Sequence, residues 1–174
     1  MSNKPYSAPT VILPNENGKS IDLKNFRPNS IVLFFYPRDN TSGCTREAKD
    51  FTENLKQFDS TNVSVIGISK DSVESHKKFI KKQNLAISLL SDENGRVCED
   101  FGVWKEKSMY GKTYMGIERS TFIIDGGGFI VKEWRKVKVA GHVNEVLQEL
   151  AKLWKINGIF FWDLIGCGCT RLTH

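Results

Sequence analysis

The stretch Ile31-Val32-Leu33-Phe34-Phe35-Tyr36-Pro37-Arg38-Asp39-Asn40-Thr41-Ser42-Gly43-Cys44 decides the fold. Its first six residues are a continuous β-branched and aromatic run, the pattern of a central strand covered on both faces in a sheet with parallel neighbours. Pro37 closes that strand, since proline has no N–H to offer a ladder. Beyond it, Cys44, Ala48, Phe51, Leu55 and Phe58 recur at steps of three and four. That spacing predicts an amphipathic helix beginning near Ser42 or Gly43, with Cys44 on its inward stripe.

Working outward, residues 63–68 predict a second strand, 72–83 a helix, 87–90 a short third strand and 93–101 a short helix. Residues between Phe101 and Ser120 are rich in Gly, Lys and Tyr and are expected to form a loop. Residues 120–124 and 129–134, joined by Asp125-Gly126-Gly127-Gly128, predict a hairpin. Val143, Val146, Leu147, Leu150 and Leu153 then stripe a last helix. Upstream of the central strand, Pro5, Pro9, Pro14, Gly18 and Pro28 predict extended chain and turns with no long helix.

The order β-α-β-α-β-α-β-β-α is that of an α/β domain whose mixed sheet is flanked by helices. It is compatible with a thioredoxin-like fold carrying an N-terminal extension and an insertion. Residues 1–154 are expected to make this single domain, and 155–174 an atypical tail. In the tail, apolar residues 156–165 precede Gly166-Cys167-Gly168-Cys169. Ten residues are too few to span a bilayer.

With 174 residues, 40% hydrophobic and 26% charged, the chain has the composition of a soluble globular protein. Its formal charge of +5 is scattered and accompanies no groove-reading motif, so no nucleic-acid partner is expected. The start Met-Ser-Asn-Lys-Pro-Tyr lacks an apolar signal core, and no membrane span is expected, which makes the cytoplasm the default compartment. In that reducing setting four cysteines point to a catalytic thiol or a metal site before a disulfide framework. No C-x-x-C pair is present, and His76, His142 and His174 show no ligand spacing, so no metal is expected.

A thiol in the first turn of a helix faces unpaired N–H groups and the positive end of the helix dipole, both of which favour the thiolate, the nucleophilic form. Burial on an inward stripe opposes ionisation, so a cation is needed nearby. Thr41, three residues before Cys44, can set a hydroxyl beside the sulfur that accepts from the backbone and donates to a bound oxygen. A dithiol oxidoreductase would carry a second cysteine in that slot, so general dithiol–disulfide exchange is disfavoured. Pro37 offers a rigid wall shielding the sulfur.

Pro37, Thr41 and Cys44 make the pattern P-x-x-x-T-x-x-C, which resembles the peroxiredoxins. The segment from Phe35 to Ala48 is similar to the bacterioferritin comigratory protein (PrxQ) branch, as are Ala8-Pro9, Leu90-Ser91-Asp92, Phe101-Gly102-Val103-Trp104, Tyr110-Gly111-Lys112 and Gly141-His142-Val143. The resemblance covers about residues 4–154. It implies a thioredoxin-like fold and a thiol-dependent peroxidase acting on hydrogen peroxide and organic hydroperoxides. Cys44 would be the peroxidatic nucleophile that becomes a sulfenic acid, Thr41 its hydrogen-bond partner and Pro37 its shield. Arg119 would be the required cation, and Glu47 the residue that orients it. No metal or organic cofactor is implied, and a monomer is expected.

Many members of this branch carry a resolving cysteine five positions after the first; here that position is Lys49. Regeneration of Cys44 by an external thiol is therefore expected, from thioredoxin, glutaredoxin or a low-molecular-weight thiol. Cys98, one step of three before Phe101, reads as a small buried hydrophobe but is also a possible resolving cysteine after local unfolding, as are Cys167 and Cys169 of the tail. The apolar tail leaves a redox-responsive holdase as the alternative function.

Overall fold

The computed structural model describes residues 4–156. Its strands are β1 (Tyr6–Ser7), β2 (Ile12–Pro14), β3 (Ser20–Asp22), β4 (Ser30–Phe35), β5 (Val63–Ser69), β6 (Ser88–Ser91), β7 (Trp104–Met109), β8 (Lys112–Ile117), β9 (Ser120–Ile124) and β10 (Phe129–Trp134). Its helices are α1 (Ser42–Glu53), α2 (Leu55–Asp59), α3 (Val73–Gln83), α4 (Arg96–Asp100) and α5 (His142–Ile156). Six strands form one mixed sheet in the order β1-β10-β9-β4-β5-β6. β4 runs parallel to β5 and antiparallel to β9, while β5 and β6 are parallel. This is the expected thioredoxin-like α/β architecture.

Alternation along β4 divides the core between the two sheet faces. Ile31, Leu33 and Phe35 belong to one buried cluster, with Leu90, Val97, Cys98, Phe101 and Phe122. Val32, Phe34 and Tyr36 belong to the other, with Cys44, Ala48, Phe51, Phe79 and the α5 residues Val146 and Leu150. Both faces of β4 are covered, as its unbroken apolar run requires. Phe51 of α1 is fully buried and stacks on Phe34 at a centroid distance of 4.7 Å, which holds α1 flat on the sheet. Fully burying such a ring contributes about 1.5–3 kcal/mol.

Two expectations are corrected. The apolar stripe from Cys44 to Phe58 spans two helices, because Asn54 ends α1 with its side-chain amide donating to the Asp50 carbonyl at 2.8 Å. A short amide side chain competes in this way with the helical ladder. The expected loop before Ser120 is instead the hairpin β7–β8, turned by Tyr110 (φ 52°) and Gly111 (φ 74°), both left-handed as a tight two-residue turn demands. Its strands are largely exposed and polar, so they lack the apolar alternation that marks a half-buried strand.

No helix among the described residues is long and apolar enough to cross a membrane. The final helix runs to Ile156; the rest of the tail, with Cys167 and Cys169, lies outside the described residues.

Candidate active site

The site forms where β4 runs out into a loop and the chain returns as α1. Cys44 is the third residue of α1 and is 1% exposed. Thr41 is the N-cap in extended conformation, but its side chain does not cap the helix. The first-turn N–H groups are thus left without that side-chain acceptor, at the positive end of the helix, where an anion is stabilised.

Arg119 reaches Cys44 through sheet register. β4 and β9 pair antiparallel with Phe35 opposite Ser120, so the residue before Ser120 comes level with the end of β4. The Arg119 carbonyl accepts from Val137 N–H at 2.9 Å, which fixes its backbone between β8 and β9. Its Nη2 lies 3.3 Å from Cys44 Sγ. Its Nη1 donates to Glu47 Oε2, forming a close ion pair in which the Glu47 side chain is wholly buried and Arg119 is 16% exposed. Gly43 makes room for this arrangement, since a Cβ there would sit 3.2 Å from Nη2.

Burial pushes the Glu47 carboxyl up to about 7, with Arg119 acting in the opposite direction. Its second oxygen, Oε1, is buried without a hydrogen-bond partner among the described residues. Burial would lower Arg119, but Glu47 and then the Cys44 sulfur hold it above the ordinary arginine value. The guanidinium therefore keeps its charge at the sulfur. His142, at the start of α5, is pushed down to about 4 by burial and by Arg119; its Nε2 lies 2.8 Å from Thr121 Oγ1.

The structure thus joins Cys44 and Glu47 through Arg119, which touches both. Thr41 is exposed, and its hydroxyl donates to the Arg38 carbonyl at 3.1 Å, not to the sulfur. That leaves the oxygen lone pairs free to accept from an incoming O–H. Pro37 is half-buried, two residues beyond the end of β4. Cys98 stands apart: it is fully buried in the cluster on the opposite sheet face from Cys44, and burial followed by Asp92 raises its thiol far above the usual range.

Sequence reasoning overlooked a second buried polar group beside the site, Asp39 with Tyr36, Ser75 and His76. Asp39 and His76 are 37 residues apart, and no spacing rule joins them.

The AhpC/TSA family matches residues 6–133. Peroxiredoxin Bcp of Bacillus subtilis (strain 168) is 49% identical over 143 residues, which cover 82% of this chain and 91% of the relative. A structure of a cysteine-to-serine mutant of Xylella fastidiosa PrxQ has a TM-score of 0.80 at 39% identity, covering 87% of this chain and 98% of its own. The Xanthomonas campestris bacterioferritin comigratory protein, described for alkyl peroxide reduction activity, has a TM-score of 0.78 at 43% identity over 82% of this chain and 91% of its own. With a family match over most of its length and relatives of this identity, the chain belongs to the AhpC/TSA family, as a thiol peroxidase of the peroxiredoxin Bcp branch.

Proposed function

We propose that Cys44 is the peroxidatic nucleophile of this enzyme and that Arg119, Glu47, Thr41 and Pro37 form its machinery. The observation that carries this reading is the 3.3 Å contact between Arg119 Nη2 and Cys44 Sγ. The Cys44 thiolate attacks the terminal peroxide oxygen, an S–O bond forms as the O–O bond breaks, and the sulfur is oxidised to a sulfenic acid. The leaving oxygen takes a proton and departs as water or alcohol. The fixed guanidinium meets the negative charge that builds on the peroxide oxygens, where a preorganised donor contributes most. Thr41 accepts from the peroxide O–H and aligns it with the sulfur, while Pro37 shields the site from water. Glu47 holds the arginine in place.

The sulfenic acid is returned to thiol by an external thiol, such as thioredoxin, glutaredoxin or a low-molecular-weight thiol, in a one-cysteine cycle. Lys49 at the expected resolving position and the location of Cys98 across the sheet support this route. The catalytic unit is the domain ending with α5. No observation among the described residues favours the holdase alternative. Thiol-dependent peroxide consumption by wild type and Cys44→Ser tests the proposal: activity is expected to vanish in the variant, and retained turnover would refute the role of Cys44.

A further inference from the structure

Asp39 lies between Pro37 and Thr41 in the loop joining β4 to α1, yet its carboxylate is buried, at 6% exposure. Carboxylates in such places are held by several partners. Tyr36 OH donates to Oδ1 at 2.7 Å and Ser75 Oγ donates to Oδ2 at 2.8 Å. His76 Nδ1 lies 2.9 Å from Oδ2, and the Asp39 N–H donates to Asp71 Oδ2 at 2.8 Å. Burial pushes the Tyr36 phenol well up, so it remains a donor.

His76 is fully buried on α3, and its Nε2 lies 3.1 Å from the Leu90 carbonyl of β6. A carbonyl oxygen only accepts, so Nε2 donates to it, and a second proton held between Nδ1 and Asp39 Oδ2 makes the other hydrogen bond. The imidazole is therefore a strut between a fixed strand and the loop. Asp39, Asp71 and His76 set ligand-type atoms within 4.8 Å of one another, but Asp39 Oδ2, Asp71 Oδ2 and His76 Nδ1 all take part in hydrogen bonds, with Ser69 Oγ also donating to Asp71 Oδ2 at 2.7 Å, so the group is read as a clasp.

The loop needs such a clasp. Asn40 is in the left-handed region at φ 61°, and Thr41 is exposed with only the Arg38 carbonyl as hydroxyl partner among the described residues. Backbone of this kind persists where the surroundings over-determine it. The determination comes from Asp39, one residue before Asn40 and two before Thr41.

We propose that His76 is a positioning residue for peroxide reduction, acting through Asp39 to fix the span from Pro37 to Thr41 against the Cys44 sulfur. The inference rests on the reading of Cys44 as the nucleophile. It separates two reactions of the same thiol: attack on peroxide requires the loop geometry, whereas alkylation by iodoacetamide requires only an accessible thiolate.

Two variants of His76 keep different halves of the strut. His76→Asn retains a polar atom near the place of Nδ1, facing Asp39; His76→Gln retains one near the place of Nε2, facing Leu90. The measurement is the second-order rate of Cys44 with hydrogen peroxide divided by its rate with iodoacetamide. The ratio is expected to fall about tenfold in the Gln variant and to stay within about twofold of wild type in the Asn variant. A residue that merely fills the core would affect both alike, and equal ratios in the two variants overturn the proposal. Should either variant fail to fold, Ser75→Ala removes a single bond to Asp39 and is expected to lower the ratio about twofold; an unchanged ratio there also overturns it. Failure of the underlying reading is distinct: Cys44→Ser would then consume peroxide at the wild-type rate, whatever His76 does.

Discussion

Arg119 presents Nη2 to the Cys44 sulfur at 3.3 Å although the two residues lie 75 positions apart in the chain. The same guanidinium gives Nη1 to Glu47, so its fork spans two sites on α1, three residues apart. A lysine ammonium is a single point charge and cannot fill both positions. Arg119→Lys is therefore expected to lower the rate of Cys44 with hydrogen peroxide by about 10- to 100-fold. Stopped-flow oxidation of the variant checks this, and a rate within twofold of wild type would remove Arg119 from the proposed machinery.

Gly43 gives a subtler test of the same contact. A Cβ at this position would stand 3.2 Å from Arg119 Nη2, close enough that the guanidinium must give by a few tenths of an ångström. Alanine is otherwise a better helix former than glycine, so Gly43→Ala should not loosen α1. The expected outcome is a several-fold slower peroxide reaction with an unchanged or slightly raised melting temperature, since small misplacement of a catalytic group is costly in rate.

Cys98 packs in the cluster across the sheet from Cys44, so a disulfide between them would require the sheet itself to open. Cys98→Ala is expected to lose on the order of 1 kcal/mol of stability by vacating a small packed volume. Peroxide turnover with an external thiol should be unaffected. Intact mass after one equivalent of peroxide should show a single added oxygen on Cys44 in both proteins. A loss of two hydrogens in wild type that disappears in the variant would make Cys98 the resolving cysteine.

The contrast between local and distant residues explains what the sequence makes legible. β4 and α1 are plain because an unbroken apolar run and a helical stripe adjoin at Pro37, and Pro37, Thr41, Cys44 and Glu47 fall within one short segment. Arg119 enters only through resemblance, because strand register, which a lone sequence does not display, brings it level with the end of β4. β7 and β8 escape notice because most of their residues are exposed on a small two-stranded ribbon that meets the core only at its base, through Trp104 and Ile117. The Asp39 clasp escapes because its members come from separate segments, each of which alone reads as ordinary loop or helix surface.

His142 gives the protein an acid-sensitive element. Its folded value of about 4 lies below the ordinary 6.5, with burial as the main cause and Arg119 as the second. The folded state therefore binds this proton less readily than the unfolded chain. The stability linked to the neutral ring is full above pH 6.5 and is lost as pH falls to about 4. The loss is on the order of 3 kcal/mol. His142→Gln keeps a polar group towards Thr121 without a titrating ring, and its denaturant midpoint is expected to change less than that of wild type between those pH values. Equal pH dependence in the two proteins would refute this role.

Glu47 acts in the opposite direction. Its folded value of about 7 stands above the ordinary 4.5, because burial outweighs the attraction of Arg119. Here the folded state holds the proton more tightly than the unfolded chain, so the associated stability is full below pH 4.5 and is lost as pH rises through about 7. The loss is again on the order of 3 kcal/mol. Glu47→Gln should flatten this fall, because the amide still accepts from Arg119 Nη1 and carries no charge to desolvate. The same variant weakens the electrostatic hold on the guanidinium, so a more stable protein near neutral pH is expected to react several-fold more slowly with peroxide. Parallel denaturation and stopped-flow measurements at about pH 5 and about pH 7.5, on either side of the titration, separate the two effects. A variant both less stable at the higher pH and equally fast would show that the buried pair serves packing alone.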